Sequence, residues 1–236
     1  MIVALIDYKA GNLTSVRKAL TTLDAEILTP DAPADLERAD AIIVPGVGHF
    51  DATAALDAPW HTAIRARLDA GTPLLGICLG QQWLFEGSEE APDVAGLGVL
   101  PGRCVRLDTG EATLKVPHVG WNALNQTGRA SRLLAGVPDA AQAYFTHSYV
   151  APESEATVAT TQHGVTFASV VERGLVFGAQ FHPEKSGEVG LRMLRNFLAV
   201  AGERTGEHAV DGRLQPAPSA SAGPGGEASL PTERSR

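Results

Sequence analysis

Pro73-Leu74-Leu75-Gly76-Ile77-Cys78-Leu79-Gly80-Gln81-Gln82 runs from an apolar stretch, through a cysteine set between two glycines, into residues suited to a helix. A short apolar run without polar alternation is the pattern of a strand covered on both faces. A strand that passes directly into a helix must turn sharply. The Gly-x-Cys-x-Gly spacing leaves room for the close backbone contacts of such an elbow. The elbow lifts the cysteine clear of the sheet and sets it at a helix N-terminus, where the dipole and free N–H groups favour a thiolate. The N–H of Leu79 would then point where an oxyanion forms. An unpaired cysteine is most commonly a small buried hydrophobe, so the nucleophile reading needs a base.

Gln180-Phe181-His182-Pro183-Glu184-Lys185 supplies one at the end of the last apolar run, Leu175–Phe181. Sites in open α/β sheets form beyond the carboxyl ends of the strands, which places His182 and Cys78 at one edge. Across the proline-stiffened corner Glu184 can turn back onto the imidazole and fix its tautomer. Gly46-Val47-Gly48 lacks the Gly-Lys-Ser/Thr of a phosphate loop. It reads instead as a turn after the third strand, free to reorient and bring a second N–H toward the nucleophile. His61, His163 and His208 lie in polar or irregular stretches and read as solvated. No Cys/His cluster has metal-ligand spacing, so no metal is expected, and acyl transfer through a thiol requires no organic cofactor.

Outward from the elbow, strand and helix alternate. Met1–Ile6, Glu26–Thr29 and Ala41–Val44 read as strands. Leu13, Val16, Leu20 and Leu23 share a helical face, as do Leu56, Trp60, Ile64 and Leu68, with Pro59 a possible break; Leu79–Glu86 reads as a helix after the elbow. From Gly96 to Val171, short β-like pieces (Val105–Leu107, Tyr144–Val150, Thr157–Thr161, Phe167–Val171) are divided by Pro, Gly and Asn, which has an antiparallel texture. Ser186 is placed to cap a closing helix. The fold class is α/β: an open, mostly parallel central sheet flanked by helices, with additional antiparallel strands. One domain is expected over 1–201. Residues 202–236 are rich in Gly, Pro, Ser, Ala and Glu without an aromatic, and read as a disordered tail.

The net charge of −8 argues against general affinity for nucleic acid or anionic membrane. No apolar run reaches spanning length, and Met1–Ile6, cut off by Asp7, reads as a strand rather than a leader. With two cysteines and no export signal, the cytoplasm is the expected compartment.

The elbow and His-Pro-Glu motifs together resemble those of the class I, triad-type glutamine amidotransferases. Four further stretches resemble one branch, the glutaminase subunits of imidazole glycerol phosphate synthases. These are Asp7-Tyr8-Lys9-Ala10-Gly11-Asn12-Leu13, Pro45-Gly46-Val47-Gly48-His49-Phe50, Lys115–Asn122, and Tyr144-Phe145-Thr146-His147-Ser148-Tyr149. The resemblance implies Cys78 as nucleophile, His182 as general base and acid, and Glu184 as its orienting partner. It implies Leu79, Gly48 and Val47 as backbone oxyanion donors, and Gln82, Ser148 and Tyr149 as the holders of L-glutamine. Asn12, His118, Trp121 and Asn122 would face the cyclase subunit of a heterodimer, which receives the ammonia. Lys9 departs from the pattern, which carries glycine there. The rival readings are the glutaminase of another synthase (anthranilate, GMP or carbamoyl phosphate) and a non-catalytic subunit that keeps only the fold.

Cys104 lacks a glycine elbow, and its neighbours Arg103, Val105 and Arg106 alternate as in a half-buried strand. Cys104→Ser should therefore cost stability at most. Thiol alkylation should inactivate the wild type and Cys104→Ser equally; protection of the variant would mean that Cys104 is the nucleophile.

Overall fold

The computed structural model describes residues 1–11, 13–110 and 114–210, with side chains through Glu203. The elements in chain order are β1 (Ile2–Leu5), α1 (Leu13–Thr22), β2 (Glu26–Leu28), β3 (Ala41–Gly46), α2 (Ala58–Asp69), β4 (Leu74–Cys78) and α3 (Leu79–Trp83). There follow β5 (Gly87–Ser88), β6 (Ala91–Ala95), β7 (Arg103–Arg106), β8 (His118–Gln126), β9 (Ala141–His147) and β10 (Tyr149–Val150). The chain continues through β11 (Thr157–His163), β12 (Val165–Arg173), β13 (Val176–Ala179) and α4 (Gly187–Val210). Short 3₁₀ turns cover Pro33–Arg38, Phe50–Ala55 and Pro183–Lys185.

A nine-stranded sheet is ordered β2-β1-β3-β4-β13-β12-β11-β8-β9, and a small sheet is ordered β10-β7-β5-β6. From β2 to β13 the large sheet is parallel; from β13 to β9 it is antiparallel. The apolar runs follow from burial on both faces. Val3 and Leu5 enter one core cluster, whereas Ala4 and Ile6 enter the other. Ile43 and Ile42 divide in the same way, as do Ile77 and Leu74. Alternate side chains of a strand point to opposite faces, so a covered strand has no polar face to show. β4 and β13 are neighbours, pairing Ile77 with Ala179, so the residues just beyond their carboxyl ends are brought together.

Several local expectations need correction. The helix after the elbow stops at Trp83, because the backbone N–H groups of Leu97, Gly98, Val99 and Leu100 capture the carbonyls of Trp83, Phe85 and Leu84. The stretch from Phe50 to Leu68 is interrupted just before Pro59: a 3₁₀ turn ends at Ala55, and α2 begins at Ala58 with Pro59 in its first turn, where its missing N–H costs nothing. The Ser186 hydroxyl does not cap α4. It donates to His182 O at 2.7 Å and accepts the Tyr144 N–H at 3.0 Å, tying the His-Pro-Glu corner to β9. β5, β6 and β8 arise where the residues carry no strand pattern; β8 holds Gly120, Asn122 and Asn125, poor strand formers that pairing with β9 and β11 keeps in place. Helix α4 runs to Val210, past the boundary drawn at 201, and residues 211–236 lie outside the described residues.

Lys9 does have positive φ, 65°. Asp7 supports the turn, accepting the Lys9 N–H at 2.9 Å and pairing with Nζ at 2.8 Å. The Lys9 side chain is 87% exposed, so the ion pair stabilises little. The left-handed backbone costs an L-residue about 1–2 kcal/mol, partly offset because glycine loses more entropy on folding. Lys9→Gly should therefore stabilise the protein by about 0.5–1 kcal/mol, raising Tm by about 1–4 °C in thermal unfolding. A lower Tm would show that the Asp7 pair outweighs the backbone strain.

Candidate active site

Cys78 sits between β4 and α3 with φ 54° and ψ −107°, a backbone almost unused by side-chain-bearing residues. The flanking glycines explain how it persists. A Cβ on Gly80 would be driven into Val44 O, and one on Gly76 into Gly80 O. The elbow is thus a place where backbone meets backbone without side chains between. Cys78 is 5% exposed and its Sγ lies 3.7 Å from Gln180 Nε2. It lines a cavity of about 200 Å³ together with Gly48, Leu79, Gln82, Glu90, Ser148 and Tyr149.

His182 follows β13, as expected from the sheet edge. Its Nδ1 is 2.9 Å from Glu184 Oε1, and both side chains are buried. Its Nε2 is buried and forms no hydrogen bond of ordinary length, which leaves that edge for the reaction. Burial alone would lower the imidazole pKa, but Cys78 and Glu184 more than offset it and raise the value to about 9. His182 therefore holds its proton at neutral pH, the state that stabilises a thiolate and can protonate a leaving amine.

The oxyanion positions divide. Leu79 opens α3 and Gly48, at φ 96°, lines the cavity. Val47 does not serve in this conformation, since its N–H donates to Ala10 O at 2.8 Å. Gly46 is not a free hinge either. It ends β3, paired with Cys78, and its bare Cα makes room for the Tyr8 hydroxyl.

Gln82 Nε2 donates to Tyr149 O at 2.9 Å and to Gln180 Oε1 at 3.1 Å, so its remaining acceptor is Oε1. Glu90 is a cavity-lining residue that the sequence reading missed. It is the carboxylate among the lining residues, and its Oε2 accepts the Phe50 N–H at 2.8 Å. Nothing in the local pattern separates it from its exposed neighbour Glu89; only the β5–β6 turn aims it inward.

The residues expected at a partner surface are split by the strand period. Trp121 is 57% exposed on β8 beside Val119 at 58%, with its ring 6.0 Å from that of Tyr144. His118 is buried instead, and Asn122 turns its amide onto His118 Nε2 at 3.2 Å. Successive strand residues point to opposite faces, so His118 and Asn122 cannot share the surface of Trp121. Asn12 lies outside the described residues. His163 is not simply solvated: its Nε2 bonds Lys115 O at 2.9 Å. His61 is half-buried, with its ring 5.2 Å from that of Trp83, and His208 lies outside the described side chains.

An elbow cysteine at the wall of a polar cavity and a buried His–Glu pair beyond the neighbouring strand are the groups that thiol acyl transfer on an open α/β sheet requires. Residues 4–201 match the model of the glutamine amidotransferase class-I family, and the chain belongs to that family. Within it, the chain is similar to imidazole glycerol phosphate synthase subunit HisH of Natronomonas pharaonis, 47% identical over 86% of this chain and 96% of that one. The HisH subunit of Moorella thermoacetica is also 47% identical, over 83% of this chain and 93% of its own. A crystal structure of a glutamine amidotransferase, 23% identical, superimposes with a TM-score of 0.67 over 86% of this chain and all of the other, and shares the fold.

The raised His182 pKa has a definite sign. An imidazole raised from 6.5 to about 9 contributes stability that is complete below about pH 6.5 and lost as the pH rises through about 9. Glu184→Gln should lower the His182 titration midpoint, read by NMR, toward 6.5. Its Tm deficit against the wild type should be widest at low pH and closed above about pH 9. An unmoved midpoint would show that Cys78 alone retains the proton.

Proposed function

We propose that this chain is the glutaminase subunit of an imidazole glycerol phosphate synthase, hydrolysing L-glutamine to glutamate and ammonia for a cyclase partner. The strained Cys78 elbow set beside the buried His182–Glu184 pair carries the glutaminase reading, and the similarity to HisH subunits favours this synthase over others. Cys78 thiolate attacks the side-chain amide carbon of glutamine. The Leu79 and Gly48 N–H groups receive the developing oxyanion, and Val47 would join them only after releasing Ala10 O. His182 gives its proton to the departing nitrogen, so ammonia leaves and a γ-glutamyl thioester remains. His182 then takes a proton from water, whose oxygen attacks the thioester and returns the thiolate.

Gln82, Ser148 and Tyr149 line the substrate cavity, where Glu90 offers the negative charge that the α-ammonium of glutamine requires. Exposed Val119 and Trp121, with Lys185 held 5.9 Å over the Tyr144 ring, form an apolar, basic-edged face suited to the cyclase. No helix among the described residues is long and apolar enough to cross a membrane. Two free cysteines suit a reducing compartment, and the reading places the enzyme in the cytoplasm. The catalytic unit is proposed to span 1–201.

The test is Cys78→Ala in the complex with cyclase. Glutamine-dependent product formation should fall by on the order of 10⁴–10⁶, while synthesis from ammonium salts persists. Retained glutamine hydrolysis would overturn the mechanism, and loss of the ammonia-dependent reaction would point to a disrupted complex.

A further inference from the structure

A continuous series of hydrogen bonds joins β8 to the nucleophile. Asn122 begins it in a fixed orientation: Oδ1 accepts the Ala123 N–H at 2.8 Å, and Nδ2 donates to Gln162 O at 3.0 Å. The same Nδ2 lies 3.2 Å from His118 Nε2, and His118 Nδ1 lies 3.1 Å from His147 Nε2. His147 Nδ1 is 3.1 Å from Tyr149 O, the carbonyl that also accepts from Gln82 Nε2. Gln82 in turn bonds Gln180, whose Nε2 reaches Cys78 Sγ.

The ring protons follow by elimination. A carbonyl only accepts, so His147 carries its proton on Nδ1. Burial opposes a second proton on either ring, lowering His118 to about 4 and His147 to about 3, with the neighbouring imidazoles adding to it. Neutral His147 therefore accepts at Nε2, His118 donates from Nδ1, and His118 Nε2 accepts from the Asn122 amide. Every donation runs in one sense, from Asn122 toward Tyr149. A proton added to His147 would set N–H against N–H; one added to His118 would face the Asn122 amide. His163 stacks on His118 at 4.1 Å and is held by Lys115 O. His163 and His182 are the other titratable groups felt by the pair.

We infer that His118 and His147 are positioning residues for glutamine hydrolysis, an uncharged pair polarised in one direction that fixes the Tyr149 carbonyl and, through it, the Gln82 amide. The inference rests on the glutaminase reading. Both Gln82 N–H groups are committed, one of them to this carbonyl, so a displaced carbonyl frees the amide to rotate and mis-aim Oε1. The loss should therefore appear in substrate binding rather than in the chemical step.

Two measurements on the full chain with its cyclase test this. ¹⁵N NMR of the imidazoles at about pH 6, where a free histidine is largely protonated, should show both rings neutral with the proton on Nδ1. An imidazolium, or an Nε2–H tautomer, on either ring overturns the inference whatever the activity. In kinetics, His118→Phe keeps the stacking but removes both nitrogens. It should raise KM for glutamine about tenfold while kcat stays within about threefold. His118→Asn, whose Nδ2 falls near the place of Nδ1, should restore KM. Should His118→Phe not fold, Asn122→Ala, which removes the outer donor together with the Ala123 and Gln162 bonds but leaves both rings, should still raise KM. A fall in kcat alone, an unrestored KM in His118→Asn, or an unchanged KM in Asn122→Ala overturns the assignment. If the wild type releases no ammonia from glutamine, the glutaminase reading falls, and the ring spectra still decide the pair.

Discussion

The backbone of Cys78 is held at φ 54° and ψ −107°, which costs a non-glycine residue on the order of 1–3 kcal/mol, and the surrounding structure is arranged to keep it there. β4 lies between β3 and β13, so its end cannot relax sideways. Helix α3 packs against β3 so closely that Gly80 meets Val44 O without a Cβ between them. The carbonyls at the end of α3 are tied to residues 97–100. Stability spent on the strained residue returns as geometry: the sulfur stands at a helix N-terminus, next to a buried base, at the mouth of a polar cavity.

Identical side chains, far apart along the chain, hold opposite proton states around one site. Burial pushes all three of His118, His147 and His182 toward the neutral form. His182 escapes because a buried carboxylate and the Cys78 side chain stabilise its charge. His118 and His147 have only carbonyls, amides and each other, and remain uncharged. The partner, not the residue type, decides whether a buried imidazole moves protons or holds a neighbour in place. In this site both kinds meet at the cavity, one through Cys78 and the other through the Tyr149 carbonyl.

Strand β8 shows how one element can serve two surfaces. Its odd-numbered residues Val119 and Trp121 face outward as an apolar patch, and its even-numbered His118 and Asn122 turn inward onto β9 and β11. A partner docking on the outer face would press on the same backbone that carries the inner hydrogen bonds. The Lys185–Tyr144 contact places the corner after His182 at that face as well.

Features carried by local chemistry were legible in the residues themselves. The Gly-x-Cys-x-Gly elbow, the apolar runs of β1, β3, β4 and β13, and the His-Pro-Glu corner each report a constraint within a few residues: close backbone approach, burial on both faces, a stiffened turn. Features created by long-range pairing were not. β8 has weak strand propensity and exists because β9 and β11 hold it. Glu90 lines the cavity because a two-residue strand turns it inward, His118 is buried because of strand parity, and Val47 loses its N–H to Ala10 across the fold. Sequence by itself determined which groups could react and at which edge of the sheet. Tertiary structure alone decided which of them point inward and which hydrogen bonds are already spent, because burial and partner atoms come from segments far apart along the chain.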